Sequence, residues 1–166
     1  MMRRLALSLL LLPLVAGCGL KPLYAGGASG TVATSLAAIS VAPIPDRAGW
    51  LVRTALIDRL GSDGAGNTAY RLEVDLDDDI SGFGIRGDRS VTRERRTLRA
   101  RYRLVQASSG LVLLDATAGS DAGIDVVSSP HATVAAEQTA LERLSDVVAD
   151  QMVGRLAMFV TRTSGR

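Results

Sequence analysis
The segment Ser90 to Val105, SVTRERRTLRARYRLV, constrains this chain more than any other stretch. Taken with a period of two, one face carries Arg93, Arg95, Thr97, Arg99, Arg101 and Arg103. The other carries Thr92, Glu94, Arg96, Leu98, Ala100, Tyr102 and Leu104. Successive side chains of a strand point to opposite faces, so the segment is predicted to be a strand with one basic face. Its second face turns apolar only from Leu98 on. That half is expected to lie on a core, and the first half to project toward solvent or a partner. Wound as a helix, the same residues would scatter the arginines and leave no apolar stripe.

Two readings of the basic face are open. The segment Ala69 to Asp77 alternates in the same way, with Tyr70, Leu72, Val74 and Leu76 on one side and Arg71, Glu73, Asp75 and Asp77 on the other. Paired beside the arginine strand, it would neutralise the basic face by ordinary cross-strand ion pairs. If its acids meet only the first arginines, Arg99 and Arg101 stay free. The alternative is a comb of guanidiniums, Arg93, Arg95, Arg99, Arg101 and Arg103, that binds phosphates or carboxylates through their fork geometry.

The amino terminus bears on the charge argument. Met1-Met-Arg-Arg is a short basic stretch, and Leu5 to Val15 is an apolar run too short for an ordinary membrane span. It ends in Leu14-Val15-Ala16-Gly17-Cys18, which resembles the lipobox of bacterial lipoproteins. That resemblance implies cleavage before Cys18, diacylation of its thiol and acylation of the new amino terminus. More than one acyl chain gives stable anchoring to a membrane. Gly19 rather than Asp at the second mature position points, by analogy with enteric sorting, to the outer membrane and its periplasmic side.

Removing Arg3 and Arg4 with the leader takes the 19 basic residues to 17, against 17 acidic ones. A neutral mature chain with few aromatics lacks the basic excess and the stacking surface of a general nucleic-acid binder. Cys18 is the one cysteine, so no intramolecular disulfide forms.

Downstream, residues 1–17 are expected to be the leader, 18–34 the anchor and a flexible Gly/Ala/Ser linker, 35–161 one domain and 162–166 a frayed tail. Ile39 and Val41 mark a short strand ended by Pro43 and Pro45. Asp46 is placed to cap a helix from Arg47 to Leu60, with Leu51, Val52, Ala55, Leu56 and Leu60 inward and Gly61 as terminator. Gly82-Phe-Gly-Ile-Arg-Gly87 spells G-x-G-x-x-G, but a strand pattern follows it where a dinucleotide site needs a helix, so a flexible hairpin loop is expected. Asp75, Asp77 and Asp79 mimic the start of a calcium loop, yet Ile80 and Arg86 occupy positions that require Gly and Glu. A softer strand follows from Leu111 to Gly123, with Val112, Leu114, Ala116 and Ala118 on one side. After Ser128-Ser129-Pro130, a long helix from about His131 to Val160 carries a stripe of Val134, Leu141, Leu144, Val148, Met152, Leu156 and Phe159.

His131 is the only histidine and stands beside a helix start, so no Ser/His/Asp arrangement can be built. No catalytic residue, metal ligand or cofactor is expected.

The CGLKPLY start (Cys18 to Tyr24), Ile39 to Arg47, Arg53 with Leu56 and Leu60, Tyr70 to Leu76, Ala100 to Leu104 and the closing helix with Ala135-Ala-Glu137 together resemble the LPS-assembly lipoprotein family, LptE. The resemblance implies an α+β, two-layer sandwich: a mixed sheet of about four strands with two helices on one face. The element order β-α-β-β-β-α agrees with it, and a β-α-β start usually makes a parallel crossover. It also implies a protein that plugs the outer-membrane barrel LptD, helps it assemble and assists lipopolysaccharide delivery to the outer leaflet. The competing expectation is a lipid-anchored periplasmic scaffold of another envelope complex that binds no lipopolysaccharide.

Overall fold
Alternation, not length, decides where the strands lie, and three long ones form the body of the sheet. The computed structural model describes residues 30–62, 68–85 and 91–164. In chain order the elements are α1 (Thr31–Ala37), β1 (Ile39–Val41), α2 (Asp46–Leu60), β2 (Tyr70–Ile85), β3 (Val91–Gln106), β4 (Val112–Asp125) and α3 (Pro130–Ser164). The leader, Cys18 and the expected anchor lie outside the described residues.

The sheet order is β1-β2-β3-β4. β1 runs parallel to β2, with Val41 beside Leu72. The other two pairs are antiparallel, so the sheet is mixed. Leu72, Val74, Leu98, Ala100, Tyr102 and Leu104 are buried on one face, as the alternation requires, together with Ala116 and Ala118 of β4. Val52, Leu56 and Leu60 of α2 and Leu141, Leu144, Val148, Met152 and Leu156 of α3 join the same cluster. Both long helices therefore cover one face, and the other face is open.

Several boundaries differ from the expectation for physical reasons. α1 begins inside the segment expected to be linker, because Val32 and Leu36, four apart, place an apolar edge on the core, where Leu36 is buried. Asp46 does not cap α2. Pro45 takes the N-cap position without a side-chain bond, and Asp46 stands in the first turn with φ +66°. The loop before it folds back over that turn so closely that a Cβ on Gly49 would lie 2.6 Å from the Ile44 carbonyl oxygen. Gly61 does end the helix, at φ +67°.

β2 runs on through Gly82-Phe-Gly-Ile85, so the first four of the six residues of the G-x-G-x-x-G sequence are strand rather than loop. Its ladder with β3 continues to Ile85 opposite Val91. On β4, Val112 is exposed, and on α3 Val134 is exposed because the first turns of that helix extend past the core. The helix also continues through Ser164, beyond the expected fraying point.

Candidate functional site: the open face of the sheet
The odd-numbered residues of β3 from Arg93 to Arg103 emerge on the open face. Arg93, Arg95, Arg99, Arg101 and Arg103 form its central row. The register then decides what flanks them. Glu73 lies opposite Arg103, Asp75 opposite Arg101 and Asp77 opposite Arg99. The acids of β2 therefore stand beside the last arginines, not the first, which reverses the pairing that would have left Arg99 and Arg101 free.

The first arginines find acids on the other side, from β4. Arg93 Nε donates to Asp125 at 2.9 Å. Arg95 lies 3.9 Å from Asp121 and packs over the Phe83 ring, 5.4 Å from its centroid. Arg101 is bound two-pronged by Asp115, at 3.2 and 2.9 Å. That bond holds the Asp115 carboxyl below the usual carboxylate range and the Arg101 guanidinium above its ordinary value. Arg103 shares Glu73 with Arg71.

Arg99 is the exception. Its Nη1 donates to the Ser120 carbonyl at 3.2 Å, and among the described residues it has no carboxylate partner. It lies flat over Gly119, where an added Cβ would sit 2.6 Å from Arg99 Cδ. The absence of a side chain at Gly119 thus makes the bed for this guanidinium. Around it opens a shallow groove of about 730 Å³, lined by Asp75, Asp77, Arg99, Arg101, Thr117, Gly119 and Asp121.

This face is a mosaic rather than a comb. Arg71, Arg93, Arg95, Arg99, Arg101 and Arg103 share it with Glu73, Asp75, Asp77, Asp79, Asp115, Asp121 and Asp125. The three acids of β4, spaced by six and four residues, share one strand face; that spacing is the signal in the sequence that reveals them as partners of the arginines. The ion pairs here are largely exposed, and such pairs are worth about 0–1 kcal/mol. An incoming anion can therefore displace a carboxylate at small cost, and an incoming cation can likewise displace a guanidinium.

Arg96 has a role the alternation did not disclose. It points to the helix side, where its Nε donates to Asp78 at 2.8 Å and its Nη1 to the Glu137 carbonyl of α3 at 2.9 Å. The first half of that β3 face is thus docked under α3 rather than projecting freely. His131 stands exposed on the first turn of α3. Among the described residues, no group of three or more His, Cys, Asp or Glu could hold a metal ion, and no helix is long and apolar enough to cross a membrane.

A family model described as lipopolysaccharide-assembly, LptE, matches residues 36–156. The fold is similar to that of a lipoprotein from Caulobacter crescentus, with a TM-score of 0.69 and 24% identity over 81% of this chain and 98% of that one. It is also similar to rare lipoprotein B from Shewanella oneidensis, with a TM-score of 0.58 and 12% identity over 76% and 96%. A minor lipoprotein from Acinetobacter baumannii gives a TM-score of 0.55 at 13% identity, over 72% and 88%. No curated protein sequence matches the chain significantly.

Proposed function
Because the chain belongs to the LptE lipopolysaccharide-assembly family, we propose that it is the outer-membrane lipoprotein that occupies the LptD β-barrel, helps that barrel assemble and assists lipopolysaccharide delivery. Lipidated Cys18 holds it to the membrane on the periplasmic side. The observation that carries this reading is the extent of the family match, which takes in all four strands, α2 and most of α3. The work is binding and positioning, and no residue is assigned a catalytic role.

Within that reading, Arg99 and Arg101 are the positions where the open face meets anionic groups of lipopolysaccharide or of the barrel lumen, with Arg93, Arg95 and Arg103 flanking them. Arg99 offers donors that no carboxylate occupies, and Arg101 exchanges Asp115 for a phosphate. Each charge-assisted contact would contribute about 1.5–3 kcal/mol if partly desolvated. Binding should weaken as salt rises, since exposed charges are screened over about 8 Å at physiological ionic strength.

The near-equal count of acids and arginines on the same face favours a second reading, a charge-balanced protein-contact surface on a lipid-anchored scaffold that binds no lipopolysaccharide. Purification in mild detergent, followed by identification of partners, separates the two. A large outer-membrane barrel should co-purify, and recovery of some other envelope complex alone would overturn the first reading. The double change Arg99→Glu with Arg101→Glu should weaken lipopolysaccharide binding, barrel association or both, while leaving the fold intact. If both associations and their salt dependence are unchanged, the arginines are a solvated sheet face.

A further inference from the structure
We propose that the edge of β4 from Val112 to Ala118 takes an extended segment of a partner protein as a fifth strand, one that carries an apolar side chain between acidic ones. The first ground is the state of the edge. β4 is the outermost strand, and its free side faces no other strand among the described residues. Gln151 of α3 reaches across and bonds both peptide groups of Gly119, accepting from its N–H at 3.1 Å and donating to its carbonyl at 3.4 Å. Gly119 therefore turns its peptide groups away from β3. Outward-facing residues recur every second position, so Asp115 and Thr117 also present outward peptide groups. The side-chain amide of Gln151 occupies the place a neighbouring strand would take. β4 carries no proline and no lysine, the usual blocks on such an edge. At the opposite edge β1 is only three residues long.

The second ground is the cleft beside that edge. Leu114, Met158 and Phe159 form an apolar hollow of about 180 Å³, rimmed by Arg155 and Arg162. Leu114 points to the helix side of the sheet, so a residue paired opposite it on an added strand would enter this hollow. Among the described residues neither Arg155 nor Arg162 has an ion-pair partner. Their charge selects a strand with acidic residues two positions either side of the apolar one. Main-chain bonds supply affinity and the alternate side chains supply selectivity, as in strand addition generally. The edge borders the groove around Arg99, sharing Thr117 and Gln151 with it, but the strand is held by main-chain bonds and by the hollow on the helix side, so the proposal does not require that lipopolysaccharide bind the open face.

The probe is the synthetic peptide Thr-Glu-Thr-Leu-Thr-Glu, followed by amide NMR and hydrogen exchange on the folded domain. Binding should slow exchange at the Asp115 and Thr117 amides. Arg155→Glu with Arg162→Glu should lower affinity about tenfold or more, and Gln151→Ala should raise it by opening Gly119. Thr117→Pro removes one outward N–H without touching the β3 ladder and should abolish the protection. If that variant does not fold, the same peptide with N-methylated amides, which should fail to bind, serves in its place. No effect on these amides at the highest soluble peptide concentration would overturn the proposal. So would equal binding of a peptide with lysines for the glutamates. Pairing of the protein with itself through this edge, seen by sedimentation without peptide, would also overturn it, since the occupant would then be a second copy.

Discussion

Tyr102 is the largest fully buried side chain of the core, and its hydroxyl has no hydrogen-bond partner among the described residues. Burial pushes its ionisation up, so it stays neutral across the ordinary pH range. A buried hydroxyl without a partner costs about 1–3 kcal/mol. Tyr102→Phe keeps the ring and removes that cost, and should therefore stabilise the protein, by about 1 kcal/mol, in denaturant melts. A clear loss of stability would mean that the hydroxyl has a partner. Asp115 offers a pH test at the same scale. Its carboxyl is held low by Arg101, so the pair contributes stability above the unfolded-state value and loses it as pH falls through the lower folded one. In an NMR titration the Asp115 midpoint should rise toward the ordinary value when Arg101 is changed to Gln.

Among the elements, α3 depends on more than its apolar stripe. Its first turns extend past the helix-covered core, and Arg96 ties them to the sheet through Asp78 below and the Glu137 carbonyl above. The Arg96 side chain is only 12% exposed, so these bonds are poorly screened. Arg96→Ala should cost about 2–3 kcal/mol, by loss of bonds to a charged group and stranding of Asp78. Amide exchange should quicken first near Glu137, because that end is held by this contact. Further along, Arg59 of α2 bridges Asp146 and Asp150 of α3, which keeps the two helices side by side.

For the whole molecule, the two helices and the sheet share one core, so loss of packing on the sheet side should be felt globally. Leu104 is 1% exposed at the centre of that core. Leu104→Ala should lower the stability of the entire domain by about 2–5 kcal/mol in one cooperative transition. A change near zero would contradict its burial. The open face, by contrast, is held by exposed ion pairs that add little to folding. Charge changes there should alter association and salt dependence far more than melting temperature. Stability thus rests on the helix side of the sheet, and the proposed recognition surfaces are the open face and the β4 edge.

Alternation along Ser90–Val105 and Ala69–Asp77 was sufficient to place Leu72, Val74, Leu98, Tyr102 and Leu104 inside and the arginines outside, because a period of two admits only one choice of face. Helical spacing likewise placed Leu56, Leu60, Leu144, Val148 and Met152, and the family resemblance rested on the order of such segments. What local pattern could not decide was register. Whether Glu73 and Asp75 meet the first or the last arginines depends on how two strands slide past each other. The antiparallel ladder of β2 and β3, from Tyr70 opposite Gln106 to Ile85 opposite Val91, is what brings Glu73 and Asp75 to the last arginines. The same holds for Arg96 under α3, Arg99 on Gly119 and Gln151 on the β4 edge. Each is a contact between residues far apart in sequence, and only the tertiary structure brings them together.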